Sequence, residues 1–352
     1  MKHLAKKDEA AAASLQQLKK DIREKTLGNC YVFYGEETFL KNHYFDQIRR
    51  QRTDEITECF NYRKFTGENF SIQDLIEGVE AVPMMAEYTL TVVDDVDLFK
   101  LPEDERNALA ALLEDIPEYC TLLFTYETVE WKMDDRYKKL SNALKANAQI
   151  VEFPKQEARD LIPWMGRHFA HAGKRISPNL CTYLLELTDG TMTTLASEIG
   201  KICAFSGAEE ITRSDIDAVV EPALDAMIYE ITDRLSSGEP AKALIKLEQV
   251  LKMQEEPVVV LGAIGSHFRR ISTARVLQDN GRPYGELMKL YGMKDWAARK
   301  AMQSASRLSA RFLEKTAELI LETDRKMKTS GDTPQRLLET LLLEISQEAK
   351  NG

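Results

Sequence analysis

The sequence predicts an α/β domain at the N-terminus, with a mainly parallel five-stranded sheet, followed by domains made only of helices. Up to residue 153, short runs of β-branched and aromatic residues alternate with segments of helical periodicity. This order is typical of a parallel sheet with helices on both faces. From Pro154 onward the strand-like runs stop, and apolar residues recur every three or four positions.

The N-terminal elements follow one another in a regular order. A leading amphipathic helix is expected over residues 10–25, because Leu15, Leu18 and Ile22 share one helical face. The predicted strands lie at residues 30–34, 59–65, 88–93, 121–125 and 150–153. The predicted helices between them lie at residues 39–48, 71–81, 103–113 and 135–145, the second opened by a serine cap.

The helical half divides at its Gly and Pro breaks into two parts. Residues 156–220 are typical of a small bundle, and IleThrArgSerAsp at 211–215 is a capping sequence for its last helix. A boundary near residues 221 and 222 leaves six or seven helices in the remainder. We therefore expect three domains, at residues 1–153, 154–221 and 222–352.

Composition narrows the classes of function. The chain has 352 residues with 43% hydrophobic side chains, which favours two or three domains. Its net charge of −10 disfavours a protein that binds nucleic acid unaided. Five scattered cysteines without a CxxC pair argue against disulfides and a zinc site. We expect neither a metal nor a cofactor. Without a membrane-length apolar run or a secretory signal, we expect a cytoplasmic protein that contacts no membrane.

The turn after the first predicted strand has the position of a phosphate-binding loop but not its residues. Such a loop needs Gly, four residues of any type, a second Gly, Lys, and then Ser or Thr. Its amides and Lys hold the phosphates, and its hydroxyl holds magnesium. Counting from Gly35, Leu40 replaces the second glycine and Asn42 replaces the hydroxyl residue, so only Gly35 and Lys41 are retained. We expect this degenerate loop not to bind ATP.

Acidic residues favour the same interpretation. Glu36 and Glu37 place carboxylates at the start of the next helix, where they are expected to satisfy free amides and to repel a triphosphate. Asp94 and Asp95 end the third predicted strand, as the magnesium-binding acids of a Walker B strand do. Without the first half of a nucleotide site, a solvated strand end is the simpler interpretation. No catalytic residue is expected.

Four segments, in order along the chain, resemble bacterial clamp-loader delta subunits. The resemblance extends from about Leu15 to Ile345. It implies an AAA+ type module, consisting of the α/β domain and a helical lid, followed by a helical collar that joins other loader subunits. The segments are TyrValPheTyrGlyGluGluThrPheLeu at 31–40, AspArgTyrLysLysLeuSerAsnAlaLeu at 135–144, and those at 187–203 and 324–331.

The resemblance also implies partners and a role. A delta subunit belongs to the DNA polymerase III holoenzyme, binds and opens the beta sliding clamp for loading onto primed DNA, and does not itself hydrolyse ATP. Its neighbours in the loader are gamma/tau and delta prime type subunits. The absence of a Ser-Arg-Cys finger agrees with a passive role. The alternatives are an AAA+ ATPase with a non-standard nucleotide site and a helical adaptor unrelated to replication.

The family contacts the clamp through two neighbouring apolar residues between a helix and the next strand. The matching segment here is ValProMetMetAlaGlu at 82–87. Pro83 is expected to end the preceding helix and to leave Met84 and Met85 in a turn, where both cannot easily face one core. The resemblance implies that this pair enters a hydrophobic pocket on the clamp. The alternative is that the methionines fill an irregular gap beneath the sheet.

Basic residues concentrate between residues 267 and 307, although the chain as a whole is acidic. Aromatic residues interleave with them, so contact with primed DNA in the assembled loader through Arg269, Arg270 and Arg275 is one interpretation. A solvated helical face or an interface with another subunit is the commoner one. The basic residues are Arg269, Arg270, Arg275, Arg282, Lys289, Lys294, Arg299, Lys300 and Arg307.

Overall fold

The computed structural model describes residues 2–67, 70–293 and 295–351. The chain forms two compact units, Met1–Gln156 and Glu157–Gly352. The first unit contains a five-stranded sheet and the second is built from helices. The predicted fold class is therefore confirmed. The predicted boundary near residues 221 and 222 stays a prediction, because the elements on both sides of it lie in the second unit.

The first unit alternates strands and helices. Its strands are β1 (Cys30–Tyr34), β2 (Tyr62–Thr66), β3 (Thr89–Asp94), β4 (Cys120–Thr125) and β5 (Gln149–Glu152). Its helices are α1 (Lys2–Glu24), α2 (Thr38–Arg52), α3 (Glu58–Asn61), α4 (Ile72–Glu80), α5 (Glu103–Glu114) and α6 (Lys138–Asn147). The strand order is β2-β3-β4-β1-β5, and each neighbouring pair is parallel.

Alternate residues of the central strands supply two hydrophobic layers. On β1, Val32 joins a core with residues of α4, α5 and α6, whereas Tyr31 and Phe33 join a second core with residues of α1 and α2. This follows from the two-residue period of a strand, which sends successive side chains to opposite faces. Helices on both faces then bury both sets, and the parallel strands end at one common edge of the sheet.

One predicted strand was wrong at its start. The expected strand over residues 59–65 begins only at Tyr62, because α3 occupies residues 58–61. The Asp54 carboxylate accepts hydrogen bonds from the backbone N–H groups of Ile56 and Thr57 at 2.9 Å and from the Thr57 hydroxyl at 2.8 Å. These hydrogen bonds stabilise the turn that leads into α3, and the apolar pattern of Cys59 and Phe60 does not reveal it.

The second unit contains eleven helices among the described residues. Residues Thr212 and Asp215 form the expected capping box at the start of its fourth helix. No helix in the described ranges is long and apolar enough to cross a membrane. The helices are α7 (Ala158–His171), α8 (Pro178–Leu187), α9 (Met192–Phe205), α10 (Arg213–Val219), α11 (Leu224–Ser236), α12 (Pro240–Lys252), α13 (Pro257–Asp279), α14 (Gly285–Tyr291), α15 (Asp295–Arg307), α16 (Ala310–Thr329) and α17 (Pro334–Asn351).

Candidate functional site

The turn after β1 is closed by the protein itself. Gly35 has a φ of +114°, and a Cβ atom at this position would lie 2.4 Å from the Phe153 carbonyl oxygen. That oxygen accepts a hydrogen bond of 3.0 Å from the backbone N–H of Glu37, while the Phe153 N–H donates to Tyr34 at 2.7 Å. In a P-loop, backbone amides of this turn face phosphate. Here the Glu37 amide instead bonds the Phe153 carbonyl, directly after β5.

The expected cap at the start of α2 is absent at Glu37. This residue occupies the N-cap position with φ −89° and ψ 82°, and its side chain makes no cap hydrogen bond. Its backbone N–H is satisfied by Phe153 instead. The prediction that the Glu37 carboxylate satisfies the helix amides was wrong, because the backbone of Glu37 lies outside the extended conformation that a capping residue normally adopts.

Lys41 is directed into the protein. Its side chain is buried in the first turn of α2, and Nζ donates a 2.6 Å hydrogen bond to the Tyr126 carbonyl oxygen just beyond β4. Burial lowers the pKa of the Lys41 ammonium, and the carboxylates of Glu127 and Asp95 oppose this shift. The lysine that would neutralise a phosphate already has an internal acceptor and acidic neighbours.

The two acids that follow β3 hold protein groups. Asp94 accepts a 2.6 Å hydrogen bond from the Thr125 hydroxyl and forms a 2.8 Å ion pair with Lys64. Asp95, with φ +54°, accepts hydrogen bonds from the backbone N–H groups of residues 127, 128 and 129 at 2.7, 3.0 and 3.1 Å. Burial alone would raise the pKa of Asp95, but these hydrogen bonds outweigh it and hold the pKa below its usual value.

The methionine pair lies in an exposed turn between α4 and β3. Met84 is 53% exposed and Met85 is 89% exposed. Met85 also has a positive φ of 56°, which is uncommon for a residue other than glycine. More than half of each side chain is exposed, so the alternative that they fill a gap beneath the sheet was wrong.

Asn61 holds this turn in place. Its side chain is fully buried, and Nδ2 donates to the Met84 carbonyl oxygen at 2.8 Å while Oδ1 accepts from the Met84 N–H at 2.8 Å. Sequence reasoning missed Asn61, because it placed this residue inside a strand. The Asp54 and Thr57 spacing was the one local signal for the helical turn that presents it.

Exposed apolar residues of the first unit concentrate around Asn61. Among the residues described there, the large hydrophobic side chains that are exposed lie at 56–60 and 82–85, the two segments that the Asn61 hydrogen bonds connect. Exposed apolar residues that concentrate in this way are typical of interaction sites. The five residues are Ile56, Phe60, Val82, Met84 and Met85.

The predicted basic contact lies on α13 of the second unit. Arg269 is exposed, Arg270 lies 3.8 Å from the Asp225 carboxylate, and Arg275 forms a 3.0 Å ion pair with Asp279. Arg275 also donates a 3.0 Å hydrogen bond to the Leu308 carbonyl oxygen. Much of this charge is therefore neutralised within the chain. Lys294 lies outside the described residues.

Two family models match the chain in the order of its two units. The model described as "DNA polymerase III, delta subunit" matches residues 31–154, and the model of its C-terminal domain matches residues 225–345. The first match begins on β1 and extends just past β5, and the second covers most of α11 to α17. Both models describe the same family.

Individual relatives agree with these models. The chain is 27% identical over 335 residues to the DNA polymerase III subunit delta of Bacillus subtilis, covering 93% of this chain and 95% of the relative. The solved structure of the Bacillus subtilis DNA clamp loader delta protein matches with a TM-score of 0.67 and 25% identity, over 94% of this chain and 99% of that one. Since sequence, domain order and fold agree, the chain belongs to the DNA polymerase III delta subunit family.

Proposed function

We propose that this chain binds the beta sliding clamp through Met84 and Met85 and helps to open it for loading onto primed DNA. The observation that carries this proposal is the exposed methionine pair in a turn held by buried Asn61. A flexible thioether adapts well to an apolar pocket, and a central apolar anchor commonly contributes about 2 kcal/mol or more of binding free energy.

Clamp opening follows from differential affinity. A protein shifts an opening equilibrium only if it binds the open or distorted clamp more tightly than the closed one. Hydrogen bonds between the turn and Asn61, which precedes β2 of the sheet, support such a preference, because a fixed apolar pair fits one clamp geometry better than another. In this proposal gamma/tau and delta prime type subunits complete the loader within the cytoplasmic DNA polymerase III holoenzyme, and ATP acts on the motor subunits.

The chain itself is proposed to hydrolyse no ATP. Three groups that a nucleotide would need have internal partners: the Glu37 N–H bonds the Phe153 carbonyl, Lys41 bonds the Tyr126 carbonyl, and Asp95 accepts from N–H groups of the loop after β4. Glu37 and Lys41 are buried, so freeing either group would leave a buried polar group without a partner, which costs about 1–3 kcal/mol. A triphosphate would have to displace all three.

A clamp-binding measurement tests the first part of the proposal. The sliding clamp of the same organism is immobilised and the full chain is titrated by surface plasmon resonance. We expect Met84→Ala/Met85→Ala to weaken binding by about thirtyfold or more, since the apolar anchor is lost. Leu321→Ala, which removes a 70% exposed leucine from the second unit, serves as the matched control. Equal affinity of the methionine variant and the wild type would refute the assignment.

An ATP titration tests the second part. Calorimetry of the isolated chain with magnesium and ATP is expected to give no binding at millimolar nucleotide. An AAA+ ATPase with a non-standard site predicts micromolar affinity that disappears in Lys41→Ala. Such a result would replace the passive role with the ATPase.

A further inference from the structure

The Asn61 side chain hydrogen-bonds one residue of the methionine turn through both of its polar atoms. Its amide nitrogen and oxygen bond the carbonyl and N–H of Met84, both at 2.8 Å, and the residue is 0% exposed. An amide is the group that donates and accepts at once with this geometry. A carboxylate only accepts, and an aliphatic side chain does neither. The pairing therefore depends on asparagine itself.

The turn needs such a support. Met85 adopts φ +56°, a left-handed conformation that costs a non-glycine residue free energy. The Met85 side chain is 89% exposed, so its packing contributes little to holding this conformation. The two hydrogen bonds to Asn61 are the contacts that fix the backbone between the methionines and the sheet domain.

Asn61 also lies between two exposed apolar segments. It ends α3, directly after Phe60, which is 48% exposed. It precedes Tyr62, the first residue of β2, which pairs with Leu90 of β3. The side chain thus ties the turn to an element that is itself anchored in the sheet, and Phe60 is the chain neighbour of the residue that bonds Met84.

We infer that Asn61 is a positioning residue that joins Phe60 and the methionine turn into one two-segment surface for the sliding clamp. This inference rests on the proposed clamp binding. A pre-formed apolar surface binds more tightly than a mobile one, because the cost of ordering the turn is met during folding. Without Asn61 the competent turn conformation is less populated, and the apparent affinity falls by the same fraction.

The test compares Asn61→Asp, Asn61→Leu and Phe60→Ala with the wild type in the clamp titration. We expect each to weaken binding by about tenfold or more, with the Asn61 variants losing mainly association rate. Faster hydrogen exchange at the Met84 and Met85 amides is expected in the Asn61 variants alone. If Asn61→Leu fails to fold, the near-isosteric Asn61→Asp variant and Phe60→Ala still decide the question.

The matched control is Asn29→Ala. Asn29 Nδ2 also ties distant parts of the same unit, through hydrogen bonds of 3.4 and 3.3 Å to the carbonyl oxygens of Ile116 and Pro117. This variant is expected to lose stability without losing clamp affinity, which separates positioning from general destabilisation.

The outcomes distinguish this inference from the proposed function. If the methionine variant loses clamp affinity while Asn61→Asp or Phe60→Ala binds as the wild type does, the two-segment surface is wrong and the methionine contact stands. If the wild type does not bind the clamp, or the methionine variant binds equally well, both proposals fall together.

Discussion

Gly35 lies where the end of β5 approaches the turn after β1. Its identity is required twice, by φ +114° and by the Phe153 carbonyl oxygen that a Cβ atom would meet at 2.4 Å. We expect Gly35→Ala to lower the free energy of unfolding by about 3 kcal/mol, since backbone strain and a backbone clash add. Urea denaturation measures this. Gly166→Ala, in α7 with no atom within 4 Å of the added methyl group, should be neutral or slightly stabilising.

The Asp95 carboxylate is expected to make the stability of the fold depend on pH. Its pKa is lower in the fold than its usual value, so its contribution is present above the unfolded pKa and is lost as the pH falls through the folded one. We expect Asp95→Asn to lose about 1 kcal/mol at neutral pH, the size of a capping interaction, because the amide keeps one acceptor and tolerates positive φ. Thermal unfolding between pH 7 and 3 should converge for the two proteins at low pH. A constant difference over this range would contradict the assignment.

We expect Met85 to favour clamp binding at a cost in folding stability. In Met85→Gly the left-handed strain is relieved, so the melting temperature should stay level or rise, while clamp affinity falls by about tenfold or more with the loss of the anchor. Met85→Ala removes the same anchor without relieving the strain. It should therefore bind as weakly as the glycine variant but unfold at a lower temperature. Calorimetry and the clamp titration measure the two effects separately.

At the scale of elements, the sequence predicted the features that depend on residues close together in the chain. Ser71 caps α4 as its spacing indicates, accepting from the Asp74 N–H, and the five strands lie close to their predicted positions. The closed turn was different. We predicted that this turn does not bind nucleotide because Leu40 and Asn42 replace P-loop residues. The group that closes the turn is Phe153, which lies 118 residues beyond Gly35 in the chain. A contact across that distance leaves no periodicity to detect.

The short helix α3 was missed for a related reason. Four residues are too few for helical periodicity to differ from strand alternation, so the decisive signal was the Asp54 side chain. The exposure of the methionines was predicted because Pro83 ends a helix, but the residue that holds them was not. Sequence patterns indicate where a surface lies more readily than what supports it.

An Asp54→Ala variant tests whether the hydrogen bonds to Asp54 stabilise α3. We expect Asp54→Ala to lose about 1 kcal/mol of stability and to increase hydrogen exchange over residues 58–61, because the Ile56 and Thr57 N–H groups lose their acceptor. Asp135→Ala, which removes an exposed ion pair with Lys145, is the comparison and should change neither by more than a few tenths of a kcal/mol. Unchanged exchange at α3 in Asp54→Ala would show that these hydrogen bonds do not stabilise it.

At the scale of the molecule, many of the basic side chains between residues 267 and 307 form ion pairs within the chain. The chain carries a net charge of −10, and the arginines of the basic region are largely paired within it, Arg282 with Glu286 at 2.8 Å and Arg299 with Asp295 at 2.7 Å. The whole-chain potential therefore opposes phosphate binding by the isolated subunit. A contact with primed DNA becomes favourable only where other subunits supply positive charge around it.

Arg269 is the residue of the predicted set through which such a contact is best tested. Its side chain is exposed, whereas Arg275 is held by Asp279 and the Leu308 carbonyl. In the assembled loader we expect Arg269→Ala to weaken primed-DNA binding and to reduce the slope of log affinity against log salt by about one, as loss of one phosphate contact does. Arg275→Ala should lower stability and leave the slope unchanged. If Arg269→Ala instead reduces incorporation into the loader without changing the slope, the residue contacts a neighbouring subunit, and if neither changes, its face is solvated.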